Sequence, residues 1–319
     1  YGMTASYIDI LVDVSFDDED DENSPYLDYE KGHSADIFSN SSVRGITLPN
    51  NITYLPKSMF ADCTNLREIK STDALVDVNN ISNSITAIGS DAFSGCTALL
   101  NLYIPNSVTT MGNSVFNNWG STDIVQRIHF NDMYEAPVGV DGYDWNSNWL
   151  GTTFDNLQVQ FKTISVVFAK EGGKDGIATS GVSAMYNQEM PEAVAPERDH
   201  YDFGGYYSQR NGKGTQYYDE NMASVANWDK KEGTVLYAYW IPHTFSVAFD
   251  KNGGTGGSND VIASYEQPMP SAIKPTKTGY RFVGYYLGNE PYYDENINST
   301  NNWNFAENGK TLIAKWSKR

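Results

Sequence analysis

This chain has little of what most enzymes and metal sites are built from. Its 319 residues hold 2 cysteines and 4 histidines, and the histidines, His33, His129, His200 and His243, are scattered one per segment. No C-x-x-C spacing or neighbouring His pair exists to hold zinc, and G-x-S-x-G, H-E-x-x-H and G-K-[ST] phrases are missing. The glycine run Gly253–Gly257 lacks the lysine that a phosphate loop requires. These absences point away from an enzyme and call for no cofactor and no metal.

Basic residues are scarce as well, 22 Lys and Arg against 40 Asp and Glu, for a net charge of −18. A field of that sign repels phosphate backbones and anionic lipid, which excludes a nucleic-acid partner. No apolar run approaches the roughly 18 residues that span a bilayer, and no basic stretch followed by an apolar core opens the chain. The sequence therefore reads as a mature or trimmed chain that does not insert into a membrane. The acidic run Asp17–Glu22 has no glycine at its sixth position and no glutamate at the twelfth, so it reads as a solvated loop, weak calcium binding being the alternative.

What the chain does have is repetition. Phe38, Phe60, Phe93 and Phe116 stand 22, 33 and 23 residues apart, each within a similar phrase. Ile52–Ile69 lies over Ile85–Leu102 at nearly every apolar position, a third copy runs from Val108 through Phe116 and Trp119 to Ile128, and a weaker one holds Phe38, Val43, Ile46 and Leu48. A period of about 20–29 residues with L-x-x-L phrasing is the mark of leucine-rich repeats, stacked units sharing one core. Ile85, Ile88, Leu99, Leu102 and Ile104 are expected to point inward. Ser90 is expected to cap a short helix Asp91-Ala92-Phe93, and Pro49 and Pro105 to end strands.

The phrases Ile85-Thr-Ala-Ile-Gly-Ser-Asp-Ala-Phe-Ser-Gly-Cys-Thr-Ala-Leu and Tyr103-Ile-Pro-Asn-Ser-Val-Thr-Thr-Met-Gly resemble the BspA-like leucine-rich repeats of bacterial surface proteins, over about residues 35–130. The sequence departs from the pattern in an insertion of roughly ten residues near Ser71–Asn80, expected as a bulging loop, and in Trp119, which replaces Cys63 and Cys96 of the other copies and predicts a wider last turn. The family pattern implies a small buried side chain at that position, so the cysteines read as free core thiols, a bridge between turns being the alternative.

A second repetition fills the other half. Val166-Val-Phe168-Ala-Lys-Glu-Gly-Gly173 lies over Val247-Ala-Phe249-Asp-Lys-Asn-Gly-Gly254, and Leu236-Tyr-Ala-Tyr-Trp240 over Leu312-Ile-Ala-Lys-Trp316, with Met-Pro, Tyr-Tyr and Tyr-Tyr-Asp pairs in register between. Thr244–Phe249 and Leu312–Trp316 alternate as strands do. This phrase resembles the internalin-type B repeat, also called the Listeria-Bacteroides repeat, across almost all of 163–317. The resemblance implies a small β-grasp, ubiquitin-like α+β module with one helix packed on a mixed sheet.

The expected architecture is thus multidomain: residues 1–162 a leucine-rich-repeat solenoid (α/β, a strand plus a turn or short helix per repeat) with an acidic N-terminal segment and a cap at Val138–Phe161, then B-repeat modules at 163–241 and 242–319. Charge divides the same way, −15 over residues 1–163 (7 basic, 22 acidic), −4 over 164–241 (7 and 11) and +1 over 242–319 (8 and 7). On the solenoid the aligned strands are expected to present columns Gly45, Glu68, Asn101, Arg127 and Thr47, Lys70, Tyr103, His129, a candidate face for a protein partner, host or extracellular matrix, or an ordinary solvated surface. In the modules one tyrosine of each pair is expected in the core and its neighbour outside, making Tyr207 and Tyr286 candidate exposed aromatics for sugar or protein. The family resemblances imply an exported protein of the bacterial cell surface. Three functions stay open: an adhesin-like interaction protein, a carbohydrate-binding surface module, and a structural stalk.

Overall fold

The structure, a computed structural model, describes residues 37–72, 79–120, 123–130 and 132–319, and the backbone of the strand Tyr7–Asp9. Compactness divides the chain into Tyr1–Ile164 with Ala184–Gln188 and Asp229–Lys231, and the remainder to Arg319. The first half winds through β1 (Tyr7–Asp9), β2 (Gly45–Leu48), β3 (Tyr54–Leu55), β4 (Glu68–Ser71), β5 (Ala87–Ile88), β6 (Asn101–Tyr103), β7 (Thr110–Met111), β8 (Gln126–Phe130), β9 (Asp144–Trp145) and β10 (Leu157–Phe161). Three sheets result, all parallel: β1-β2-β4, β6-β8-β10 and β3-β5-β7-β9. Ile46, Ile69, Ile85, Ile88, Leu99, Leu102, Val108 and Ile128 fill one core between them.

Among the described residues there is no helix, which corrects the expected short helix of each repeat. The reason lies in the backbone on either side of each phenylalanine. Ser58, Asp91 and Ser114, two residues before Phe60, Phe93 and Phe116, have φ of 53, 58 and 56°. Asp62, Gly95 and Asn118, two residues after, have φ of 57, 71 and 65°. Left-handed residues at both points turn alternate peptide planes out of helical register. Their N–H groups bond to the next turn instead: Ser58 to the Ser90 carbonyl, Phe60 to Ala92 and Asp62 to Ser94, at 2.7 to 2.9 Å, then Asp91, Phe93 and Gly95 to Asn113, Val115 and Asn117. Ser90, expected as a helix cap, accepts from the Asn113 N–H of the neighbouring turn at 2.9 Å. Gly89 serves closeness, since a Cβ there would sit 2.5 Å from the Lys57 nitrogen.

This ladder holds the aromatic rings in a stack. Phe38, Phe60, Phe93 and Phe116 lie 5.7, 5.4 and 5.9 Å apart with interplanar angles of 16° or less, and Trp149 closes the row edge-on to Phe116 at 5.8 Å. The cysteines are free and buried, and each thiol donates to the carbonyl of the phenylalanine one turn earlier, Cys63 to Phe38 at 2.8 Å and Cys96 to Phe60 at 3.1 Å. Trp119 makes the same bond with its indole N–H, to Phe93 at 2.8 Å. The segment expected as a cap contributes a turn of its own: β9 and β10 extend both sheets, and Trp149 occupies the aromatic position.

The second half holds two five-stranded sheets. β11 (Thr163–Ala169), β12 (Gly181–Met185), β13 (Tyr201–Gln209), β14 (Lys213–Tyr218) and β15 (Thr234–Pro242) are ordered β12-β11-β15-β13-β14. β16 (Thr244–Asp250), β17 (Asp260–Ser264), β18 (Tyr280–Leu287), β19 (Glu290–Tyr293) and β20 (Lys310–Lys318) repeat that order as β17-β16-β20-β18-β19. The expected β-grasp module with its packed helix is overturned, because neither sheet carries a helix. The crossing segments between β12 and β13 and between β17 and β18 contain Pro191 and Pro196, and Pro268, Pro270 and Pro275, which lack an N–H and push the preceding residue out of the helical region. They run as extended straps. Met190 and Met269, within these straps, are buried, and the tyrosines Tyr218 and Tyr293 donate to the Pro191 and Pro270 carbonyls at 2.6 and 2.7 Å.

The tyrosine pairs divide by strand. On β13 and β18 one member is core and one is not: Tyr206 and Tyr285 are fully buried, Tyr207 and Tyr286 half-buried. On β14 and β19 both are buried, against expectation, because the segment that follows folds back and lays Trp228 on Tyr217 at 5.0 Å and Trp303 on Tyr292 at 5.5 Å. Burial raises the phenol pKa of Tyr218 and of Tyr285 to about 12.

Two outcomes test this packing. Phe93→Ala empties the middle of the ring stack and is expected to cost about 3–5 kcal/mol in urea unfolding. Burial raises both thiol pKa values, Cys96 well above the ordinary one. A disulfide-exchange reagent should therefore find no rapidly reacting thiol in the native chain and two after denaturation, and intact mass should match two free thiols.

Candidate functional site

A parallel strand displays alternate side chains on one face, so the outward positions of β6, β8 and β10 form rows across the sheet. Asn101 registers with Arg127 and Arg127 with Gln158; Tyr103 registers with His129 and His129 with Gln160. Beneath them Leu102 and Ile128 are buried, and Val159 packs against the same core. The rows are tied laterally. The Tyr103 and His129 rings stack at 4.2 Å, 8° from parallel; His129 Nε2 lies 3.2 Å from Asn101 Oδ1; and Arg127 Nε donates to Gln158 Oε1 at 3.0 Å. These side chains are held before any partner arrives, which lowers the entropy that binding would otherwise cost.

The support beneath is polar and satisfied. Gln126 is buried at the start of β8, donates to the Cys96 and Leu99 carbonyls at 3.0 and 2.9 Å, and accepts from the Gly120 N–H at 2.7 Å. It fixes the height of β8 against the preceding turn. Burial, and then the positive charge of Arg127, lower the His129 pKa from its ordinary value of 6.5. The imidazole is therefore neutral at neutral pH, able to stack and to share one hydrogen bond with Asn101.

The two expected columns are not continuous. Gly45 registers with Glu68 and Thr47 with Lys70, and Lys70 pairs with Glu68 on its own strand. Between β4 and β6, however, the chain returns from the insertion, and Asn79 and Asn80 take the neighbouring position. Asn79 Oδ1 accepts from the Ile69 N–H and its Nδ2 donates to the Arg67 carbonyl, both at 3.0 Å, while Asn80 bridges Tyr103 in parallel. Thr47, Glu68 and Lys70 thus form one patch, and Asn101, Tyr103, Arg127 and His129 another with Gln158 and Gln160. The expected bulging loop falls largely on residues 73–78, outside the described residues, as do Asp17–Glu22 and His33. The glutamines went unnoticed in a segment read as a cap; the alternation Gln158-Val-Gln-Phe161, with Val159 inward, was the available signal.

The module tyrosines Tyr207 and Tyr286 are half-buried, as are Asn101, Tyr103 and Arg127, while His129 is buried. Tyr207 has the Tyr239 ring against it edge-on at 5.8 Å, and the Lys315 ammonium covers the Tyr286 ring at 4.0 Å. Each ring thus has a neighbouring side chain packed against it, which a stacking sugar would have to accommodate.

Comparison with known proteins finds two kinds of repeat in the chain. Residues 31–118 and 75–135 belong to the BspA type leucine-rich repeat region, and residues 165–238 and 245–315 are Listeria-Bacteroides repeat domains. The chain is 30% identical over 163 residues, half of its length, to a putative Gly-rich membrane protein of Evansella cellulosilytica, of which it covers 17%. A putative membrane protein of the same organism is 29% identical over 196 residues, 59% of this chain and 26% of that protein. Internalin H of Listeria monocytogenes is 28% identical over 177 residues, 52% of this chain and 29% of the internalin. The chain spans less than a third of each of these relatives. By this kinship it is a repeat protein built from two kinds of unit, a leucine-rich-repeat region and two Listeria-Bacteroides repeat domains.

Because the folded His129 pKa is depressed, the unfolded chain takes up the proton first as pH falls through 6.5. That residue's contribution to stability is present above 6.5 and is lost on acidification below it. NMR titration is expected to place the His129 midpoint under 6.5, and Arg127→Gln to move it upward.

Proposed function

We propose that the chain is the adhesin-like recognition portion of a bacterial cell-surface protein. In this reading residues 1–162 form the recognition domain, and the modules at 163–241 and 242–319 serve as a spacer or secondary contact. The face of β6, β8 and β10, with Asn101, Tyr103, Arg127 and His129 at its centre, takes a protein partner from a host or its extracellular matrix. Thr47, Glu68 and Lys70 form a second, adjacent contact. No catalysis and no cofactor are assigned to it.

The observation that carries the reading is the locked row of Tyr103, His129, Asn101, Arg127 and Gln158. Aromatic and arginine side chains fixed in place on a rigid sheet are what protein interfaces draw their binding energy from. The names of the relatives, two membrane proteins and an internalin, support the surface assignment. Sugar binding through Tyr207 and Tyr286 is less favoured because neighbouring side chains crowd both rings.

Surface plasmon resonance of the whole chain against host extracellular-matrix proteins tests the assignment. Tyr103→Ala combined with Arg127→Ala is expected to weaken binding by at least about tenfold, the scale of a lost interface anchor. Tyr207→Ala with Tyr286→Ala should leave it unchanged. Unaltered binding by the first pair removes the face from the account. Saturable binding on a glycan array that disappears with the second pair replaces a protein partner with a sugar.

A further inference from the structure

The two five-stranded modules are joined by one residue, His243, between β15 and β16. Its N–H donates to the His200 carbonyl of the first module at 2.9 Å, and its carbonyl accepts from the Tyr265 N–H of the second at 2.9 Å. Side chains then clasp across the joint. Glu266, held at φ 56° in the turn after β17, accepts from the Tyr201 hydroxyl at 2.8 Å and pairs with Arg198 at 3.1 Å. The Tyr265 ring lies 4.7 Å from His200 and 5.9 Å, edge-on, from Tyr201.

The first module's half of this joint has a definite construction. Arg198 lies over the Tyr201 ring at 3.8 Å and donates to the Glu171 carbonyl at 3.1 Å. It packs beside Gly172, whose φ is 89°. The second module repeats that construction at its far end. Lys277, in the place of Arg198, lies over the Tyr280 ring at 4.9 Å and donates to the Asn252 carbonyl at 2.8 Å, beside Gly253 with φ 78°. Arg319, in the place of His243, donates its N–H to the Gly279 carbonyl at 3.1 Å, as His243 does to His200. Tyr280 is 37% exposed, and among the described residues no carboxylate bonds its hydroxyl as Glu266 bonds that of Tyr201.

We propose that the end of the second module formed by Lys277, Gly279, Tyr280 and Arg319 is a docking socket for another β-module of this same repeat type, one presenting an aromatic–carboxylate turn like Tyr265-Glu266. The occupant follows from charge and from continuity with the joint already made: a cation stacked on a phenol, with the phenol hydroxyl free, matches a carboxylate flanked by a ring. A second copy of this chain cannot supply that turn, because its own Tyr265 and Glu266 are engaged at the internal joint. The modules thus assemble head to tail through one repeated contact, with side chains fixing the angle that the backbone link begins.

The test extends the full chain with a copy of residues 244–319 placed directly after Arg319, so that Arg319 takes the part of His243. Spin labels on the second and appended modules report their separation by double electron–electron resonance, and labels on the first and second modules serve as the standard. A separation distribution as narrow as the standard is expected. It should be lost with Tyr280→Ala, and Lys277→Arg should preserve it. Changing the appended module's counterpart of Glu266 to Ala should broaden the same distribution while leaving the standard unaltered. A broad distribution in the unsubstituted extension overturns the proposal, as does a narrow one that survives both Tyr280→Ala and the loss of that carboxylate.

Discussion

Everything in the solenoid depends on where its backbone N–H groups are spent. On the side opposite the sheet face they bond to the next turn rather than within their own, at alternate residues around each phenylalanine. Once that choice is made the turns must follow one another at the spacing of a parallel ladder. Rings at equivalent positions then have no option but to stack, and side chains three residues further on meet the carbonyl of the turn before. Cys63, Cys96 and Trp119 differ greatly in size yet make the same bond because the ladder delivers the same carbonyl to each. The flat and regular candidate face is the other side of the same constraint.

The modules answer the same demand differently. A sheet with one side to cover usually receives a helix, which satisfies its own backbone. Here the cover is an extended proline-bearing strap, whose carbonyls at Pro191 and Pro270 are taken up by tyrosine hydroxyls from the sheet below. Prolines remove donors that an extended strap has no ladder to satisfy, so the residue that forbids a helix also makes the strap tolerable.

Much of this was legible in the residues. The periodic phrases placed Ile85, Ile88, Leu99 and Leu102 in the core, and the shared cysteine position marked two buried thiols. Helix was the wrong inference because Ser90-Asp91-Ala92-Phe93 reads as a cap and a first turn, and nothing about Ser58, Asp91 or Ser114 announces a positive φ. The residues two beyond each aromatic carried the missing signal: Asn40, Asp62, Gly95, Asn118 and Gly151 are all types that accept the left-handed region. The division of the face was hidden for another reason. Insertion length is visible in a sequence, but the re-entry of Asn79 and Asn80 between two strands depends on an amide side chain imitating a peptide group, which no period encodes.

That re-entry bears on how such a protein can change. A stack held by turn-to-turn bonding would be expected to tolerate no additions, since every extra residue displaces its neighbours. Asn79 closes the gap by giving Ile69 and Arg67 the acceptor and donor that a strand would have offered. One amide side chain thereby stands in for a strand partner, so the ladder at β4 is satisfied without a further strand directly beside it. An addition to such a stack is accommodated wherever a single side chain can imitate the peptide group that the next turn would have supplied.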